Sequence, residues 1–243
     1  MCLYPRLLRN PKYKPNKKNG GNVPYLKDDR VLFVPIKCNE CIECYKEKAR
    51  NWKIRLCEDI RVHKNAKFIT LTFSNECYTE LFKIGKGEGY NRDNSICTIA
   101  VRRLCERYRK EHKKSLRHWF ITELGHERTE HIHLHGIVWA DDLDNVEKHW
   151  KYGFVWKGKR KPDGSLQNYV SERTINYCMK YFTKRDLIHK TYKPIILASD
   201  GIGKGYKERE DFKLHKYKGD NTREYYQTRE GYKMALPMYY RQA

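Results

Sequence analysis

The stretch His131 to Ala140, HIHLHGIVWA, alternates histidine with an apolar residue over its first five positions. Successive side chains of an extended strand point to opposite faces, so His131, His133 and His135 share one face while Ile132, Leu134 and Val138 take the other. This is a row of imidazoles backed by a hydrophobic surface, and it demands a sheet. The preceding segment RHWFITEL, ending at Leu124, is also strand-like, and the short polar stretch GHERTE between the two has the length of a hairpin loop. A third segment, AKFITLTFS from Ala66 to Ser74, places Phe68, Thr70 and Thr72 on one face and Ile69, Leu71 and Phe73 on the other. It reads as a buried strand.

Helical periodicity occupies the intervals. A charged, tryptophan-bearing helix is expected from about Ile42 to His63, and a basic amphipathic helix from Ser95 to Lys113, after a loop broken by Gly85, Gly87 and Gly89. The polar region from Asp141 to Lys161 suits a short helix, followed by a turn at KPDGS. Residues Val170 to Arg185 form the last helix. Its core, NYCMKYFTK, puts Tyr177, Lys180, Tyr181 and Lys184 at i, i+3, i+4 and i+7 on one stripe, with Ile175, Cys178, Met179 and Phe182 opposite. The apolar stripe suffices to anchor the helix, which leaves the tyrosines and lysines for another purpose.

The expected organisation is an irregular basic arm over residues 1–37, which holds five of the eight prolines, then a domain over 38–194, then a basic Tyr/Gly-rich extension over 195–243 packed on the same domain. The fold class is α+β, with a central antiparallel sheet and flanking helices. The segment DGIGKGY lacks the Gly-Lys-Ser/Thr ending of a phosphate loop and reads as a sharp turn in a DNA-binding surface.

Lys and Arg number 51 against 30 Asp and Glu, giving a formal charge of +21, and aromatic residues make up 13% of the chain. Such a balance points to a polyanion, and the aromatic rings to stacking on unpaired bases. The chain has no apolar run of about 18 residues and no secretory leader, so an intracellular protein without membrane contact is expected. Its nine cysteines then read as reduced thiols or metal ligands. Cys38, Cys41 and Cys44, spaced C-x2-C-x2-C, would make a structural zinc site if Cys57 or His63 supplied a fourth ligand.

Imidazoles on alternate strand positions can take adjacent places on one divalent ion. If the hairpin pairs position 123 with 133, Glu123 lies beside His133 and adds an oxygen ligand. Two imidazoles and one carboxylate leave coordination positions open for water or phosphate. A tyrosine hydroxyl, with an ordinary pKa near 10, attacks phosphate only if its phenolate is stabilised and the phosphate polarised. Lys180 and Lys184 suit the first task and the Glu123–His133–His135 metal site the second.

These segments carry a resemblance. His133-Leu134-His135 resembles the His-hydrophobic-His (HUH) motif of rolling-circle replication endonucleases, FITLTFS resembles their first motif strand, and YCMKYFTK their tyrosine motif. The Tyr-x-x-Lys-Tyr-x-x-Lys spacing, with CNECIEC before a basic Trp helix, GIGKGY and LPMYY, is similar to the replication-initiation proteins of microviruses, the small icosahedral single-stranded-DNA bacteriophages. The resemblance implies a five-stranded antiparallel sheet, Mg2+ or Mn2+ held by Glu123, His133 and His135, and Tyr177 and Tyr181 as nucleophiles. It also implies nicking of single-stranded DNA at the viral replication origin, a 5′-phosphotyrosine intermediate, later religation, and work beside a host helicase and polymerase in the bacterial cytoplasm. Two other readings remain at this stage: a non-catalytic nucleic-acid-binding protein with a structural metal, and a plasmid relaxase or transposase of the same superfamily.

Overall fold

The alternating segments become strands in the computed structural model, which describes residues 2–125, 130–183 and 188–241. The chain divides into two compact units, Met1–Ala49 and Arg50–Ala243.

In the first unit, a two-stranded antiparallel ribbon pairs β1 (Arg6–Arg9) with β2 (Phe33–Ile36), and three short 3-10 turns lie between them. Prolines and Asn-capped turns keep this segment from forming an α-helix. The unit ends in the first residues of α1 (Ile42–Val62), within one residue of the expected helix at either end.

The second unit is built on a five-stranded antiparallel sheet. Its strands are β3 (Ala66–Leu71), β4 (Arg117–Leu124), β5 (Ile132–Trp139), β6 (Val155–Trp156) and, after the small ribbon of β7 (Lys159–Arg160) and β8 (Leu166–Gln167), β9 (Ile196–Ala198). Their order across the sheet is β6-β3-β5-β4-β9. The β4–β5 hairpin pairs Glu123 with His133 and Ile121 with His135, the register expected from the sequence. Its loop residues 126–129 lie outside the described residues.

Alternation assigns the two faces. Ile69, Leu71, Phe120, Leu124, Ile132, Leu134 and Val138 enter one large core, shared with α2 (Asn75–Ile84), α3 (Tyr90–His112) and α4 (Leu143–His149). The sequence reading placed only a loop before α3. Helix α2 starts where Ser74 accepts a hydrogen bond from the Cys77 amide, and it buries Leu81. On the opposite face, Trp119 packs against Trp52 of α1 and Phe182 of α5 (Glu172–Thr183). Ile175, Cys178, Met179 and Phe182 are the buried residues of α5, as the apolar stripe required.

Gly136 is the one place in β5 where a side chain cannot be tolerated. A Cβ there would stand 2.1 Å from the Trp119 carbonyl oxygen and 2.6 Å from the Phe120 ring. Gly136→Ala is therefore expected to cost about 3 kcal/mol through forced separation of β4 and β5. Urea denaturation measures it, and an unchanged midpoint would contradict this packing.

The chain closes with β10 (Tyr225–Gln227), β11 (Lys233–Ala235) and α6 (Met238–Arg241). Two adjacent buried carboxylates of α1 receive this C-terminal segment. Glu58 accepts from Arg61, Arg209 and the Tyr226 hydroxyl. Asp59 accepts from Arg117 through both guanidinium edges and from the Gly203 amide at 2.8 Å. The GIGKGY segment does turn sharply, with Gly201 and Gly203 at φ of +72° and +77°. Its role is in packing: Ile202 is fully buried, and a Cβ on Gly203 would collide with Arg55 and Tyr240.

Candidate metal and tyrosine site

The site lies on the sheet face that α5 partly covers, where β3, β4 and β5 each contribute one polar residue. Thr70, His135 and Ile121 are cross-strand neighbours, and Glu123 sits opposite His133. The Glu123 carboxylate reaches diagonally to the other histidine, with Oε2 3.0 Å from His135 Nε2. The far nitrogen of that ring, Nδ1, lies 3.0 Å from the Thr70 hydroxyl. Thr70 thus fixes the orientation of His135 and leaves Nε2 for an ion or a carboxylate. The rings of His133 and His135 are near parallel, with centroids 6.4 Å apart. Burial, with the nearby His135 as a lesser cause, holds the His133 pKa below the ordinary imidazole value.

His131 departs from the row of three. It precedes β5, and its ring stacks on Tyr78 of α2 with centroids 4.4 Å apart. The left-handed backbone of Glu130, at φ +50°, lies directly before it.

Helix α5 brings both tyrosines to this face. The Tyr181 ring stacks on His135, 4.6 Å between centroids and 7° from parallel. Its hydroxyl donates to the Tyr177 hydroxyl at 3.0 Å. Burial, reinforced by that hydrogen bond, pushes the Tyr181 pKa well above the ordinary phenol value, so Tyr181 remains a proton donor at neutral pH. Tyr177 is half exposed and meets Phe68 of β3 edge to face at 6.1 Å. The Lys180 ammonium stands 5.9 Å from the Tyr177 ring centroid. Lys184 lies outside the described residues.

Three contributors were not singled out from the sequence. Thr70 and Phe68 carried a signal, because strand alternation already put them on one face. Asn168 carried none: its side chain exchanges hydrogen bonds with the Phe68 backbone amide and carbonyl at 2.9 and 2.7 Å, satisfying the edge of β3 where β6 does not reach.

Among the described residues, two groups gather at least three ligand atoms within 4.8 Å of one another: Cys2, Cys38, Cys41 and Cys44, and Glu111, His112 and His149. The Glu123, His133 and His135 arrangement is looser, a contacting pair with His133 beside it. In the second group, Glu111 is already held by the Lys148 ammonium at 2.7 and 2.9 Å. In the first, the fourth sulfur belongs to Cys2 and not to Cys57 or His63. Cys57 is buried, lining a cavity with Val170 and Glu172, and His63 is an exposed residue just past the end of α1. No helix of the described residues is long and apolar enough to cross a membrane.

Residues 66–186 match the family model described as Replication-associated protein ORF2, a rolling-circle replication-associated family. The matched stretch runs from the start of β3 past the end of α5, so it contains Glu123, His133, His135, Tyr177 and Tyr181 and leaves out the cysteine cluster and the C-terminal extension. No curated protein and no solved structure matches the chain.

Proposed function

We propose that this protein is a metal-dependent endonuclease and strand transferase that nicks single-stranded origin DNA through a tyrosine, starting rolling-circle replication of a single-stranded-DNA phage genome. The observation that carries the reading is a continuous chain of contacts on one sheet face: Glu123 to His135, His135 to Tyr181, Tyr181 to Tyr177. Helix–sheet packing requires none of these polar contacts, and a replication-associated family match spans all four residues.

The donor set suits a divalent cation. Two imidazoles and a carboxylate match Mn2+ and, more weakly, Mg2+, and Thr70 supplies the outer hydrogen bond that metal-binding histidines usually make. When bound by Glu123, His133 and His135, the ion supplies Lewis-acid polarisation of a phosphate. The chain's own residues do the rest. Tyr177, the more exposed tyrosine, attacks the scissile phosphorus through its phenolate oxygen. The Tyr181 hydroxyl donates to that oxygen, and Lys180 adds positive charge near it. The 3′ oxygen leaves and takes a proton to become a free 3′-hydroxyl that a polymerase extends, while the 5′ phosphate stays on Tyr177. Reversal by a 3′-hydroxyl religates the strand. Tyr181, one helical turn away, is available for a second cleavage while the first end is held. The basic surface holds the unpaired DNA by contacts to phosphates, and unwinding falls to a host helicase.

The test is incubation with end-labelled single-stranded origin DNA and Mn2+, followed by denaturing electrophoresis. A protein–DNA adduct that survives denaturation is expected. DNA binding without any adduct would instead favour a binding protein in which the tyrosines stack on bases.

Thr70→Val keeps the shape of the side chain and removes the hydrogen bond to His135. It is expected to weaken Mn2+ binding by roughly 10- to 100-fold, read by calorimetric titration, while affinity for single-stranded DNA in the absence of metal stays unchanged. Equal metal affinity in the variant would remove Thr70 from the site.

A further inference from the structure

We propose that Cys2, Cys38, Cys41 and Cys44 form a closed tetrathiolate zinc site that holds the N-terminal unit together. Two independent observations carry it.

The first is geometric. Cys2 Sγ lies 3.4 Å from Cys38 Sγ and 3.9 Å from Cys41 Sγ, and Cys38 Sγ lies 3.9 Å from Cys44 Sγ. Four sulfurs at about 2.3 Å from a tetrahedral zinc ion are about 3.8 Å apart, so these separations fit a shared ion. They are far longer than the S–S bond of about 2.05 Å in a disulfide, and all four thiols are free. Backbone amides already point at the sulfurs. Leu3 and Cys41 donate to Cys41 and Cys38 at 3.4 and 3.3 Å, and Cys38 donates to Cys2 at 3.3 Å. Such N–H donors offset the negative charge of metal-bound thiolates. The turn that aims them depends on Asn39, which takes a left-handed conformation at φ +61°, one that asparagine adopts more readily than most residues.

The second is energetic. Among the described residues of the Met1–Ala49 unit, only Cys38, Cys41, Cys44 and Ala49 are buried apolar residues. The ribbon of β1 and β2 is almost wholly exposed. A segment with so small a core needs a staple, and a structural metal is one of the few available. Soft thiolates select zinc, with every coordination position filled by protein. That separates this site in kind from the open carboxylate–imidazole site proposed for the DNA chemistry. The zinc site stands or falls independently of that proposal.

The experiment uses the full chain purified without chelator. Zinc is measured by mass spectrometry of the metal content, and the site is then reloaded with Co2+. About one zinc per chain is expected, together with intense thiolate-to-cobalt charge-transfer bands and tetrahedral visible bands. Cys2→Ser should raise the rate of zinc release at least tenfold and speed proteolysis within residues 2–37. Cys57→Ser and Cys77→Ser should change neither. Absence of both zinc and the cobalt spectrum in the wild-type chain would overturn the site. So would unchanged zinc retention in Cys2→Ser, or zinc loss in Cys57→Ser alone, each of which would mean a different fourth ligand.

Discussion

Replacing Tyr177 and Tyr181 together with phenylalanine is expected to reduce covalent DNA adduct formation to background while leaving the affinity for single-stranded DNA within a few-fold of wild type. The double variant removes both hydroxyls that can become the phosphodiester oxygen, and binding rests on charge spread along a chain of formal charge +21. The single variants separate the two roles. Tyr177→Phe deletes the proposed first nucleophile, so the initial nick should fall by at least about a hundredfold, any remainder coming from Tyr181. Tyr181→Phe deletes the hydroxyl that donates to Tyr177 at 3.0 Å. A hydrogen bond to a developing phenolate is worth about 1.5–3 kcal/mol, so the expected loss is roughly 10- to 100-fold. Single-turnover nicking on a labelled oligonucleotide resolves the two, and a greater loss in Tyr181→Phe would exchange the assignments.

Asp59→Ala is expected to destabilise the second unit by about 3–5 kcal/mol, the usual cost of removing one partner from a buried ion pair. The substitution strands the Arg117 guanidinium, which also donates to the Gly201 carbonyl, and leaves the Gly203 amide without its acceptor. These contacts join α1, the first residue of β4 and the start of the C-terminal segment. Hydrogen exchange should therefore rise first in residues 201–206, and the urea midpoint should fall. Asp59→Asn keeps an acceptor for Gly203 and should lose less. A change below about 1 kcal/mol in Asp59→Ala would show that Arg117 is adequately solvated without its partner.

The parts of this architecture legible in the sequence are those governed by period and register. The strict alternation at Ile132 to His135 and the shortness of the loop before it dictate the Glu123–His133 pairing. The 3.6-residue period of NYCMKYFTK sorts α5 into its buried residues and its tyrosine face. What stayed hidden depends on contacts between distant segments. Cys2, separated by 36 residues from Cys38, follows no spacing rule, so the three-cysteine motif suggested a ligand from α1 instead. Asn168 caps a strand edge 100 residues away. Glu58 and Asp59 look like ordinary surface charges of a polar helix, and only the returning C-terminal segment buries them. Helix α2 was missed because the glycines after it suggested a longer break than the chain makes. His131 fits the alternation in sequence, yet its ring stacks on Tyr78, an aromatic partner that the strand pattern does not reveal.

The most direct measurement of the central claim is the chemical identity of the DNA–protein bond. Adduct formed with Mn2+ on a short single-stranded origin oligonucleotide is digested with nuclease and protease, and the modified peptide is sequenced by mass spectrometry. The account predicts a nucleotide joined by its 5′ phosphate to Tyr177, and to Tyr181 in the Tyr177→Phe variant. Attachment to a serine, to a lysine or to a tyrosine outside α5, or no covalent product from metal-loaded protein that binds the DNA, would contradict it.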